Sequence, residues 1–237
     1  MTRLAETLLI AAAVAGCASN PPIPGAPEVT PNTLTTEERA QGYRLLFDGR
    51  TLDWWREYRG TTTGTWEAVD GAIYHGAGDG RDLITREEFA DFELRIDWKI
   101  APAGNSGIFY RGTEEYPELY WSAAEMQVLD DDAHPDNQDR LTSAGSAYAL
   151  YPAPAGVVRP AGEWNATRII ARGHHVEHWM NGVKIVEYEI DSPEWIAKVA
   201  ASKFRSWPNF GKAPRGHIGV QVHGNSVWYR SVRIRTY

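Results

Sequence analysis

Three short segments place amides, a carboxylate, a guanidinium and an imidazole at alternate positions among apolar residues. In 125–130 (EMQVLD), Glu125 and Gln127 alternate with Met126 and Val128. In 217–223 (HIGVQVH), His217, Gln221 and His223 fall opposite Ile218, Val220 and Val222. In 104–112 (GNSGIFYRG), Asn105 and Arg111 share parity with Gly107 and Phe109. Strand side chains alternate between the two faces of a sheet, so each polar set points one way. Taken singly, each residue reads as ordinary solvated surface. Taken together, they make a face suited to a polyhydroxylated ligand, with Glu125 and His223 able to move protons. The glycines let a ligand come close to the backbone.

Asp130 has the wrong parity for that face, and a β-bulge between Gln127 and Asp130 would be needed to turn it inward. The spacing Glu-x-Gln-x-x-Asp is then superficially similar to the Glu-x-Asp-x-x-Glu strand of retaining β-glucanases. Retaining hydrolysis needs two carboxyl groups about 5–5.5 Å apart. Here the central acid is an amide, which disfavours ordinary double displacement. The acidic run Asp130, Asp131, Asp132, Asp136 and Asp139, with His134 inside it, offers oxygens to a divalent metal such as calcium. It lacks the ordered spacing and glycine of an EF-hand loop and reads more simply as solvated loop. His174, His175 and His178 have no cysteine partner and no zinc-type spacing. Neither a Gly-x-Ser-x-Gly elbow nor a phosphate-cradling loop is present.

The elements that must carry these residues are short strands. Phe92, Leu94, Ile96, Trp98 and Ile100 alternate with Glu93, Arg95, Asp97 and Lys99, the pattern of a half-buried strand. Residues 164–171, 175–180 and 183–188 predict further strands, the last two joined by the hairpin turn Asn181-Gly182. Residues 217–223 and 227–235 predict another pair around Gly224-Asn225. Thr35 and Glu38 have capping-box spacing for a short helix stopped by Gly42, and 193–206 predicts a second helix. Many short strands with few helices indicate one all-β antiparallel sandwich or jelly roll spanning 34–237.

Composition narrows the function classes. The chain has 237 residues, 43% hydrophobic and 23% charged, enough for one sizeable core. Its net charge of -7 and scattered basic residues exclude a nucleic-acid footprint. Ten tryptophans and eleven tyrosines fit a β-rich core and equally a sugar-stacking surface. The apolar run Leu8 to Gly16 is too short to span a bilayer and follows Arg3, as in a secretory signal. It ends in Val14-Ala15-Gly16-Cys17, similar to a bacterial lipobox, so residues 1–17 read as a lipoprotein signal with Cys17 as the lipid anchor. Residues 18–33 are Pro-rich and read as a tether. The expectation is a lipid-anchored protein of the bacterial cell envelope, periplasmic or outer-membrane, touching the membrane through that lipid only.

Residues 45–55 (LLFDGRTLDWW), 104–112, 125–131 (EMQVLDD), 161–165 (AGEWN) and 217–224 occur in an order that resembles the bacterial 3-keto-disaccharide hydrolase domain family. The resemblance implies a concanavalin A-like jelly-roll β-sandwich with one or two short helices. It also implies cleavage of sugars already oxidised at C3. Carried over position by position, it puts the family's Asn-Ser-Gly strand on Asn105, Ser106 and Gly107 with Arg111, its Glu-x-Gln strand on Glu125 and Gln127 followed by Asp130, and its Gln-x-His strand on Gln221 and His223. The chain departs from the pattern at Val222, where the family carries an acid.

A ketone at C3 acidifies the C2 hydrogen, so a base can drive elimination of the C1 substituent and water can add back. Glu125 or His223 would be the base, Arg111, Asn105 or Gln221 would hold the developing oxyanion, and Asp130 or His75 would supply the acid. Gln127 and His75 complete the expected substrate contacts. The rival readings are a non-catalytic carbohydrate-binding envelope lipoprotein and a scaffold protein of the envelope.

Overall fold

The computed structural model describes residues 30–237. Its strands are β1 (Arg44–Leu45), β2 (Trp55–Glu57), β3 (Glu67–Val69), β4 (Ala72–His75), β5 (Leu83–Phe89), β6 (Phe92–Ile100), β7 (Asn105–Gly112), β8 (Ala124–Leu129), β9 (Asn165–Arg172), β10 (His175–Met180), β11 (Val183–Glu189), β12 (Gly216–Val220) and β13 (Val227–Thr236). They form two antiparallel sheets. The eight-stranded sheet runs β11-β10-β9-β6-β13-β4-β3, with β1 also pairing to β13, and the five-stranded sheet runs β2-β5-β12-β7-β8. This is the all-β sandwich that the strand pattern predicts.

Period two explains the core. Phe92, Leu94, Ile96, Trp98 and Ile100 of β6 are all buried and face Ile108, Met126 and Val128 from the other sheet. Removing this apolar surface from water supplies the main driving force, roughly 25 cal/mol per Å². Polar pins fix how the sheets sit on each other. Ser106 Oγ on β7 lies 2.7 Å from Tyr229 Oη on β13 and donates to the Gln221 carbonyl at 2.7 Å. Tyr110 Oη meets His178 Nε2 at 2.8 Å, and Tyr188 Oη is hydrogen-bonded to it as well.

The helices are short. Helix α1 (Thr36–Ala40) has the expected capping box between Thr35 and Glu38, and Gly42 follows at φ 83°. The predicted 193–206 helix divides into α2 (Pro193–Ala201) and a 3-10 turn, Lys203–Ser206. Ser202 causes the division: it adopts φ -99°, ψ 177°, and its hydroxyl accepts the Phe204 N–H at 3.1 Å. The 217–223 strand is also shorter than predicted, since β12 ends at Val220 and Gln221, Val222 and His223 run on as a connecting segment.

The signal segment, Cys17 and residues 18–29 of the tether lie outside the described residues. The end of the tether is tied to the domain. Asn32 donates to the Gly71 carbonyl and accepts the Ser231 N–H, both at 2.8 Å.

Candidate functional site

The antiparallel register of β7 and β8 pairs Phe109 with Glu125, Gly107 with Gln127 and Asn105 with Leu129, without a break. Directly opposed residues share a face, so Glu125, Gln127, Gly107 and Asn105 all lie on the outer face of the five-stranded sheet. There they form the floor of a hollow of about 310 Å³. Gln221 and His223 close one side, and Tyr120, Tyr148, Lys203 and Trp207 form the walls. Five of the residues read from the sequence therefore meet in one place: Asn105, Glu125, Gln127, Gln221 and His223.

Gly107 makes room for the central acid. A Cβ at Gly107 would stand 2.1 Å from Glu125 Oε1, so the carboxyl fits only because that side chain is missing. Glu125 itself is buried. Burial pushes its carboxyl up to about 8, the Lys203 ammonium pulls the other way, and the charge of Asp82 raises it further. Lys203 is the reciprocal case: burial lowers its pKa, while Glu125 and Asp136 favour its charged form. Its Nζ lies 4.3 Å from the Tyr148 ring centroid and 5.5 Å from that of Tyr120. These ring faces hold the cation beside the floor, while much of the Lys203 side chain stays exposed to solvent.

The amides form a chain. Gln127 Nε2 donates to Asn105 Oδ1 at 3.4 Å, and Asn105 Nδ2 donates to Asp136 Oδ2 at 3.3 Å. Gln127 Oε1 and Gln221 Oε1 are buried without a partner among the described residues. A buried acceptor left unpaired costs about 1–3 kcal/mol, and ligand hydroxyls are the natural donors to remove that cost. Beside the hollow, Trp121 and Trp207 stack at 5.1 Å with an interplanar angle of 15°, an apolar platform next to the polar floor.

Past His223 the hollow continues into a larger cavity of about 680 Å³, with Tyr120, Gln221 and His223 lining both. Asp82 lies in this second space, where its Oδ1 accepts the Val222 N–H at 2.9 Å. Burial raises its carboxyl to about 7 against the lowering effect of that N–H, and Glu118 raises it too.

Three expected site residues stand elsewhere. Arg111 donates to the Ala90 carbonyl at 2.8 Å, the Gly173 carbonyl at 2.7 Å and Asp91 Oδ1 at 3.1 Å, clamping the β5–β6 and β9–β10 turns together. Its parity failed because β7 bulges: His217 pairs with Gly112 but Gly219 with Phe109, and Arg111 sits at φ 52°. Asp130 accepts the Ala103 N–H at 2.7 Å and the Asp132 N–H at 3.1 Å, tying the β6–β7 turn to the loop that leaves β8. The bulge required to bring it inward does not occur between β7 and β8. His75 lies between the sheets, with Nε2 2.9 Å from Thr65 Oγ1 and its ring 5.0 Å from that of Trp66. Burial lowers its pKa.

The carboxylates of the acidic loop take hydrogen bonds from nearby amides and from Arg140. Besides the two amides on Asp130, Asp131 takes the Ala144 N–H at 2.8 Å and Arg140 at 3.2 Å, and Asp139 takes the Leu141 N–H at 2.9 Å. Far from the hollow, His175, Glu177 and Glu187 place ligand atoms within 4.8 Å of one another on the β10–β11 hairpin. Lys184 Nζ already contacts Glu187 at 2.7 Å and Glu177 at 3.7 Å.

Residues that the sequence reading missed come from irregular segments. Asp82 stands in the β4–β5 connection, Tyr120 in a 3-10 turn (Leu119–Trp121), Tyr148 in the loop after β8, and Lys203 and Trp207 around the turn after α2. For Tyr120, Tyr148 and Trp207 the only signal was composition, an excess of aromatics with no periodicity to place them, and Asp82 and Lys203 had none.

Comparison with known proteins gives the family and the fold. The 3-keto-alpha-glucoside-1,2-lyase-like domain matches residues 42–235. A protein of Bacteroides thetaiotaomicron named 3-keto-disaccharide hydrolase is 36% identical over 228 residues, covering 83% of this chain and 79% of that protein. A crystal structure of a proposed glycosyl hydrolase from Parabacteroides distasonis superimposes with a TM-score of 0.83 at 31% identity, over 88% of this chain and 100% of the other. A Bacillus subtilis protein with a galectin-like fold superimposes with a TM-score of 0.51 at 14% identity, over 88% and 95%, which bears on the fold alone.

Proposed function

Because the chain belongs to the 3-keto-alpha-glucoside-1,2-lyase-like domain family, we propose that its hollow cleaves the glycosidic bond of 3-keto-glycosides or 3-keto-disaccharides by elimination and rehydration. Glycoside-hydrolase-type activity is common ground with its relatives. The finer reading rests on one observation: a buried carboxyl, Glu125, lies beside an ammonium, Lys203, on an amide-lined floor.

The chemistry follows from that pair. A carbon acid next to a ketone is best deprotonated by a base whose pKa is near the working pH, and a carboxyl raised to about 8 meets that condition. Glu125 takes the proton from C2. The negative charge moves to the C3 oxygen, where the Lys203 ammonium and the amides stabilise it. The C1–O bond then breaks, and water adds across C1=C2, returning a proton to C2. Gln127 and Gln221 accept sugar hydroxyls through their unpaired oxygens. His223 contacts the substrate where the two cavities join.

Replacing Glu125 by Gln removes the base and keeps the shape. We expect at least a 10²-fold loss in release of 3-keto-glucose, and His223→Ala should lose at least about tenfold. In D₂O the 3-keto-glucose should carry deuterium at C2. Full activity in both variants, with no solvent deuterium incorporated, would contradict the proposal. The same proposal includes attachment to the cell envelope through a lipid on Cys17, supported by the Val14-Ala15-Gly16-Cys17 sequence.

A further inference from the structure

Expulsion of an alkoxide from C1 is slow unless the departing oxygen receives a proton, and neither Asp130 nor His75 reaches the hollow to give one. Asp82 stands in the adjoining cavity, beyond the Gln221–His223 wall. It is fixed from several directions. Its Oδ1 accepts the Val222 N–H at 2.9 Å, its carbonyl accepts the Tyr58 N–H at 2.7 Å, and the Trp66 indole N–H binds the neighbouring Arg81 carbonyl at 2.9 Å. The second carboxyl oxygen, Oδ2, has no hydrogen bond among the described residues, and the carboxyl lines the cavity. Arg59, Arg81 and Glu118 also line that space, giving it charged groups where an alkyl chain would want apolar ones. Its volume of about 680 Å³ lies within the usual range for ligand pockets, roughly 300–1,000 Å³.

We infer that Asp82 is the acid that protonates the leaving glycosidic oxygen, and that the larger cavity receives a polar, hydroxylated aglycone such as a second sugar ring. The inference rests on the reading of the hollow as a 3-keto-glycoside site. The steps balance. As Glu125 removes the C2 proton and the C1–O bond breaks, the Asp82 carboxylic acid gives its proton to the leaving oxygen and becomes a carboxylate. The aglycone departs as a free alcohol. The Asp82 carboxylate then takes a proton from the water whose oxygen bonds to C1, while Glu125, its proton exchanged with solvent, returns one to C2. One water is consumed, and both acids regain their starting states. Burial and the nearby Glu118 keep Asp82 able to hold a proton near neutrality, as this cycle requires.

The test is Asp82→Asn, which keeps an acceptor for the Val222 N–H but has no acidic proton. Wild type and variant are compared on a 3-keto-disaccharide and on the 3-keto-glucoside of an acidic nitrophenol, whose departure needs no protonation. We expect the variant to lose about 10²–10⁴-fold in kcat/KM on the disaccharide and less than about tenfold on the nitrophenyl substrate. Turnover of the nitrophenyl substrate also shows that the variant is folded. Equal losses on both substrates, or no loss on either, overturn the role of Asp82. Wild type should also favour the disaccharide over methyl 3-keto-glucoside by at least about tenfold in kcat/KM, and parity overturns the assignment of the larger cavity. A wild-type protein that turns over none of these substrates overturns the reading of the hollow itself, and the Asp82 inference with it.

Discussion

Glu125 occupies a position that a carboxylate would not choose. Its usual value is 4.5, and burial, opposed by Lys203 and reinforced by Asp82, carries it to about 8. Between those two values the native chain keeps a proton that the unfolded chain releases, so folding stability contributed by this group falls as pH rises from about 4.5 to about 8. Glu125→Gln abolishes the titration. Urea denaturation at pH 5 and pH 8 should therefore show the variant gaining on wild type at the higher pH, by on the order of 2 kcal/mol. Parallel stability curves would count against a buried, proton-holding Glu125. The same residue should thus be costly to stability and necessary to turnover. Its visibility in the sequence came from its strand. Glu125 and Gln127 two apart, among residues that could have been apolar, are marked by periodicity. Asp82 and Lys203 carry no such mark, because connecting segments have no period against which a charged residue looks out of place.

Elements decide whether a face read from parity is the face that forms. In β8 the alternation runs unbroken, and Glu125 and Gln127 fall where period two puts them. In β7 it holds from Asn105 to Phe109 and then fails at the bulge, which sends Arg111 to Asp91 and the carbonyls of Ala90 and Gly173. A bulge inserts one residue without any composition signal, so the sequence could not announce it. Arg111→Met should accordingly destabilise the domain by about 2–4 kcal/mol in chemical denaturation, since it strips partners from a buried clamp. The KM for a 3-keto-glycoside should stay within about twofold of wild type. A large rise in KM with unchanged stability would return Arg111 to the substrate. The turn at Lys203 teaches a similar lesson. Residues 193–206 have helical spacing, but the Ser202 hydroxyl interrupts the helix and turns the next segment toward the hollow.

At the scale of the whole molecule, fold class was the most legible feature, because it depends on many strands and tolerates errors in any one of them. The site was legible only where it rests on those strands. Anchoring is separate from both. If Cys17 carries a lipid, Cys17→Ser should move the full-length protein from the detergent phase to the aqueous phase in detergent partitioning of bacterial extracts, with kcat unchanged. Equal partitioning of wild type and variant would remove the anchor. Strand β13, residues 227–236, lies in the interior of the larger sheet between β6 and β4 and also pairs with β1. The strand that joins β4 to β6 is thus made after every other described strand. Until it emerges, β4 and β6 have no shared neighbour, and the larger sheet stays in two parts, β3-β4 and β6-β9-β10-β11.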